Sequence, residues 1–95
     1  MGPEIYLDNN ATTRLSPEAL EAMQPYLTEL YGNPSSIHSF GSQVARKLQE
    51  AREHVAALIG ASDPIEIIFT SCGTEGDNAA IRGILESRPD KCHIV

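Results

Sequence analysis

The sequence has few basic residues, few cysteines and no long apolar run, and each shortage excludes a class of protein. The chain has seven lysine and arginine residues and thirteen acidic ones, which gives a net charge of −6. Such a chain lacks the basic surface that nucleic acids and anionic membranes attract. No apolar segment approaches the roughly 20 residues that cross a bilayer. We therefore predict no nucleic-acid partner and no membrane partner, and a bound anion must be held by main-chain and hydroxyl groups.

The two cysteines, Cys72 and Cys92, are too few for a disulfide scaffold, and the chain opens without a hydrophobic signal segment. Both observations predict a reducing, cytoplasmic compartment. We expect Cys72 to be a small buried residue at a strand end and Cys92 to be packed at the start of another strand. The pair has neither close spacing nor companion ligands, so no metal site is predicted.

Two helices are indicated in the first two thirds of the chain. Ser16-Pro17-Glu18 is typical of a helix start, and the helix should end before Gly32, with Pro25 inside it causing a kink or a division into two. From about residue 42 to residue 59, apolar side chains recur at helical spacing, and Gly60 suits a left-handed terminator. The second helix is therefore amphipathic and should pack on another element.

A strand followed by a helix is indicated farther along. The apolar run Ile65–Thr70 is typical of a buried strand, Gly73 and Gly76 break it, and a helix over residues 75–86 follows. Where a strand ends and a helix begins, unpaired N–H groups and the positive end of the helix dipole face outward. This junction can hold a phosphate without a basic side chain.

The segment Cys92–Val95 has the composition of the first residues of a second strand, which would complete a βαβ unit from Ile65. Parallel strands normally lie inside a larger sheet that is covered on both faces. We therefore expect the 95 residues to be the front of a longer protein or one piece of an assembly.

Three stretches of sequence carry a family resemblance. They are Tyr6-Leu-Asp-Asn-Asn-Ala-Thr-Thr13, Gly32-Asn-Pro-Ser-Ser-Ile-His-Ser-Phe-Gly41 and Phe69-Thr-Ser-Cys-Gly-Thr-Glu-Gly-Asp-Asn-Ala-Ala-Ile81. In this order, with an amphipathic helix between the second and third, they resemble the opening part of the cysteine desulfurases of the NifS and IscS type. These enzymes belong to the class V aminotransferase group, and the nitrogen-fixation NifS branch is the most similar.

The resemblance implies an α/β fold, that of the pyridoxal phosphate (PLP)-dependent transferases of fold type I, which are aspartate-aminotransferase-like. Residues 1–15 would be the N-terminal segment of the small domain or the active-site entrance. Residues 16–95 would supply the helices and first βαβ unit of an incomplete large PLP-binding domain, including the first strand–helix unit of its sheet.

The activity implied by the resemblance is the PLP-dependent conversion of L-cysteine to L-alanine. Sulfur passes to an enzyme cysteine as a persulfide, and from there to an iron–sulfur scaffold or another acceptor protein. Relatives are homodimers, so a partner subunit is implied as well. Two alternatives stay open: another class V PLP enzyme of the selenocysteine lyase kind, and a non-catalytic phosphate-binding or structural module.

The family motifs assign four site residues in this sequence. Gly73 and Thr74 match the pair that binds the cofactor phosphate, whereas Ala11 and Thr12 match the substrate side of the pocket. Each pair has a structural alternative. Thr74 could be an ordinary N-cap with Asp77 as its capping-box partner, and residues 8–13 could be a polar turn. If a phosphate binds, the carboxylates at positions 75 and 77 should point away from it.

No catalytic residue is predicted within the chain. In the family, the Schiff-base lysine, the histidine over the cofactor ring, the aspartate beside the ring nitrogen and the persulfide cysteine all lie farther along. Lys47 and Lys91 are the only lysines, and both lie among charged or polar neighbours. A Schiff-base lysine is usually desolvated. His93 lies too early to match the ring histidine, so the 95-residue chain alone is predicted to be inactive.

Overall fold

The computed structural model describes residues 1–95, which form three α-helices and one 3-10 turn. The helices are α1 (Pro17–Thr28), α2 (Ser39–Ile59) and α3 (Gly73–Ser87), and the 3-10 turn (Pro64–Glu66) lies between α2 and α3. The chain divides into two compact units, Met1–Ala51 and Arg52–Val95. None of the helices combines the length and the apolar character that crossing a membrane requires.

The start of α1 confirms the prediction from its sequence. Ser16 is the N-cap, and its hydroxyl accepts a hydrogen bond from the Ala19 N–H at 3.1 Å. Pro17 occupies the first turn, where its missing N–H costs nothing. Pro25 lies inside α1, which is nevertheless one continuous helix rather than two. The helix ends at Thr28, before Gly32 as predicted.

The end of α2 was also predicted correctly. Gly60 has a φ of 71°, and the Ala61 N–H donates to the Ala56 carbonyl at 2.9 Å, which terminates the helix. The helix starts three residues earlier than the apolar pattern indicates. The Ser42 N–H donates to the His38 carbonyl at 3.0 Å, so the helical hydrogen bonds begin ahead of the first apolar positions.

The second family motif is a tight loop in the first unit. A Cβ atom on Gly41 would lie 2.4 Å from the Ser36 carbonyl oxygen and 2.5 Å from that of Asn33. A Cβ atom on Gly32 would lie 2.8 Å from the Phe40 carbonyl oxygen. Main-chain atoms cannot yield as a flexible side chain does, so both positions require glycine. This motif therefore has a steric explanation of its own.

The predicted strands and the βαβ unit are absent: no part of residues 1–95 is a β-strand. Ile65 lies in the 3-10 turn instead, because Asp63 begins it with a capping box. The Asp63 carboxylate accepts the Ile65 N–H at 2.9 Å, and Glu66 accepts the Asp63 N–H at 2.8 Å. Residues 67–70 have no strand beside them, and a strand exists only through such a partner. Cys92–Val95 lacks one for the same reason.

The apolar residues of the chain are mostly exposed. Of the apolar side chains, only those of Ala56 and Ile67 are buried, at 4% and 7% exposure, and both belong to the second unit. Ile65 and Ile68 are 80% and 77% exposed, and no side chain of α1 or α3 is buried. The hydrophobic core is therefore very small, since α1 and α3 leave most of their large apolar side chains exposed.

Candidate functional site

The turn that leads into α3 places the predicted site residues Gly73 and Thr74 at a helix N-terminus. Cys72 is the N-cap of α3, and the first helical hydrogen bond runs from the Gly76 N–H to the Cys72 carbonyl at 3.1 Å. The amides of Gly73, Thr74 and Glu75 therefore precede the hydrogen-bonded ladder. They lie at the positive end of the helix dipole, where a phosphate finds donors without any basic side chain.

Gly73 and Thr74 occupy the first two positions of α3, and both are exposed. No heavy atom lies within 4 Å of the position that a Cβ atom on Gly73 would take, so the space beside this glycine is open. Thr74 is inside the helix rather than at its cap, which makes the N-cap alternative wrong. Main-chain amides, one hydroxyl and open space form a donor set that fits a phosphate group.

The Glu75 carboxylate turns back to the residue that precedes the cap. It accepts the Ser71 N–H at 2.9 Å and also the Ser71 hydroxyl. These two hydrogen bonds lower the pKa of Glu75, and the one from the hydroxyl has the larger effect. The group is therefore ionised at neutral pH. The prediction that this carboxylate points away from the turn is wrong, because Ser71 supplies two donors that only a returning side chain reaches.

Cys72 is exposed, which makes the prediction of a buried thiol wrong, and Cys92 is exposed as well. No side-chain hydrogen bond caps α3 at Cys72. The Glu75 N–H is nevertheless near enough to the sulfur to lower the pKa of Cys72, helped by the Ser71 hydroxyl 3.7 Å away. The thiol is exposed because residues 67–72 are not inside a sheet.

The predicted substrate-side residues belong to a self-contained turn in the first unit. The Ala11 and Thr12 N–H groups donate to the Asp8 carbonyl, at 3.1 and 3.4 Å. The Tyr6 hydroxyl spans the turn and reaches both the Asp8 carbonyl, at 2.8 Å, and the Thr12 carbonyl, at 3.0 Å. The amides expected to face a substrate carboxylate therefore have acceptors within the turn. Gly73 and Thr74 belong to the other unit.

The model of the family described as aminotransferase class-V matches residues 5–95. The chain belongs to the class-V aminotransferase family. The third family motif thus lies at a helix N-terminus in this chain.

Curated relatives of this class-V chain include several cysteine desulfurases. The chain is 64% identical over 91 residues to the "Cysteine desulfurase" of Trichormus azollae, which covers 96% of this chain and 22% of the relative. It is 51% identical over 92 residues to the "Cysteine desulfurase NifS" of Azotobacter vinelandii, covering 97% and 23%. The chain thus spans less than a quarter of the length of these relatives. No solved structure gives a significant match.

The two lysines of this class-V chain have polar surroundings. Lys47 lies 2.7 Å from the Glu50 carboxylate one turn along α2, and this hydrogen bond raises the pKa of Lys47. A lysine that attacks a carbonyl needs the opposite shift. Lys91 lies in the turn closed by its N–H and the Arg88 carbonyl at 2.9 Å. No three metal-ligating side chains come together either.

Arg52 makes a contact that its place in the sequence does not indicate. The residue lies among the charged positions of α2, which predicts a side chain in solvent. In the structure its guanidinium donates to the Ile67 carbonyl and lies over the Phe69 ring, 5.0 Å from the ring centroid. Only the fold brings together residues separated by fifteen positions, and helical periodicity carries no signal for such a contact.

Proposed function

We propose that the chain is the N-terminal part of a PLP-dependent cysteine desulfurase. The enzyme would convert L-cysteine to L-alanine and move the sulfur atom to a cysteine thiol of its own, which becomes a persulfide. The observation that carries the proposal is the open turn at Gly73, whose main-chain amides precede the helical hydrogen bonds and suit a phosphate. The proposal is also supported by the class-V relatives named cysteine desulfurase, whose alignments cover 96–97% of the chain.

Gly73 and Thr74 would hold the phosphate group of the cofactor. The main-chain amides at the start of α3 donate to its oxygens, and the Thr74 hydroxyl adds one side-chain donor. When bound, PLP supplies the electron sink for breaking the carbon–sulfur bond of the substrate. The chain's own contribution is to fix one end of that cofactor and so orient the rest.

Ala11 and Thr12 are the proposed substrate-side residues, with residues 1–15 at the active-site entrance and residues 16–95 in the large domain. Contact between the substrate carboxylate and the amides of these two residues requires the turn at Asp8 to open. The Tyr6 hydroxyl, which holds this turn from both sides, would then be released from the Thr12 carbonyl.

The sulfur acceptor we propose is an iron–sulfur scaffold or another acceptor protein, and the enzyme is proposed to be a cytoplasmic homodimer. Two unpaired thiols, Cys72 and Cys92, support a reducing compartment. The exposed apolar faces of α1 and α3 are consistent with the homodimer, since apolar faces of this kind are normally covered by other protein.

The test is product formation by the full-length enzyme with PLP and L-cysteine. We expect alanine to accumulate, and sulfide to match it one for one once a thiol reductant releases the persulfide. L-selenocysteine, assayed in parallel, distinguishes a selenocysteine lyase by a much higher kcat/KM. Phosphate or PLP binding without any alanine would overturn the proposal in favour of a non-catalytic phosphate-binding module.

A further inference from the structure

Arg52 makes the contact that ties α2 to the segment before the phosphate turn. The side chain is half-buried, and its guanidinium donates to the carbonyl of Ile67, one of the two buried apolar residues. It also lies 5.0 Å from the Phe69 ring centroid, within the range of a cation–π interaction. One side chain thus holds both ends of the tripeptide 67–69.

The same segment is attached at its other end to the first turn of α3. The Thr70 hydroxyl donates to the Cys72 carbonyl at 3.1 Å, and this carbonyl also accepts the first helical N–H, that of Gly76. A Cβ atom on Gly76 would lie 3.4 Å from the Thr70 hydroxyl oxygen, so the segment and the helix are in close contact there. A displacement of residues 67–70 is therefore transmitted to the start of α3.

We propose that Arg52 is a positioning residue for the phosphate turn at Gly73 and Thr74. This inference rests on the proposed function, since it concerns the same site. The Arg52 contacts with the Ile67 carbonyl and the Phe69 ring attach this segment to α2. A planar guanidinium can donate to a carbonyl and stack on a ring at the same time, whereas an ammonium group keeps the charge but not this fork.

The experiment measures the dissociation constants of PLP and of pyridoxal, which lacks the phosphate, for the full-length apoenzyme. We expect Arg52→Met to raise the PLP dissociation constant by about tenfold and the pyridoxal value by less than about twofold. Arg52→Lys should restore part of the PLP affinity. Arg82→Met, which removes the same charge from an exposed position on α3, is the matched control and should leave both constants unchanged.

The two ligands separate positioning from general stability. If Arg52→Met weakens both ligands equally and lowers the unfolding temperature of the apoenzyme in proportion, Arg52 is only a packing residue and the inference is wrong. The inference is also wrong if a folded Arg52→Met variant has an unchanged dissociation constant for PLP. If the unsubstituted enzyme itself binds PLP no better than pyridoxal, the assignment of the turn at Gly73 and Thr74 as the phosphate site is wrong. The proposed function then loses its structural support, and this inference fails with it.

Discussion

The Glu75 carboxylate accepts the N–H of Ser71, four residues earlier, at 2.9 Å, and the same carboxylate receives the Ser71 hydroxyl. This is the reverse of the direction expected beside a bound phosphate. The contact satisfies an amide that lies before the helix begins, as the glutamate of a capping box does. It also places a negative charge near the start of α3, which repels a bound phosphate, so the main-chain amides and the Thr74 hydroxyl must outweigh that repulsion.

The lowered pKa of Glu75 predicts a pH-dependent start of α3. Because the hydrogen bonds with Ser71 depress the pKa in the folded state, the stabilisation is complete above the ordinary pKa of a glutamate, and is lost as the pH falls through the depressed value. We expect the Ser71 amide proton resonance to titrate with a midpoint below the usual pKa of a glutamate. In Glu75→Gln this titration should vanish, and its persistence would contradict the assignment.

Thr74→Val in the full-length enzyme should weaken retention of PLP by about 1–3 kcal/mol, the scale for a charged acceptor that loses one donor. The measurement is the bound-cofactor absorbance that remains after dialysis against increasing volumes of buffer. Thr28→Val is the matched control, because the Thr28 hydroxyl donates to the Gln24 carbonyl within α1 at 3.2 Å and has no proposed ligand role. Equal retention in both variants would remove Thr74 from the site.

Gly41→Ala should destabilise the protein by about 1–3 kcal/mol, the usual scale of overpacking, because the added methyl group meets two main-chain oxygens closer than 2.6 Å. Gly83→Ala offers the opposite control. Gly83 is inside α3 with nothing within 4 Å of its Cβ position, so alanine should stabilise by about 0.5–1 kcal/mol. Urea unfolding midpoints measure both, and a neutral Gly41→Ala would mean that the 32–41 loop is loosely packed.

The sequence alone determined the features that depend on near neighbours in the chain. The Ser16 cap and the end of α2 at Gly60 each arise from hydrogen bonds that span at most five residues, whereas α3 starts at Gly73, two residues before the predicted position 75. For that reason the positions of the cap and of the end of α2 could be read from residue type and spacing. The three family motifs are equally local, and the class-V family that they indicated is confirmed by the family match over residues 5–95.

Only the tertiary structure decided the features that depend on distant partners. Whether Ile65–Thr70 forms a strand depends on a neighbouring strand, and in this chain the Ile67 carbonyl accepts Arg52 of α2 instead. The exposure of Cys72 follows from the same missing sheet. A residue's own type does not reveal which group lies across from it, because that group is brought there by the path of the whole chain.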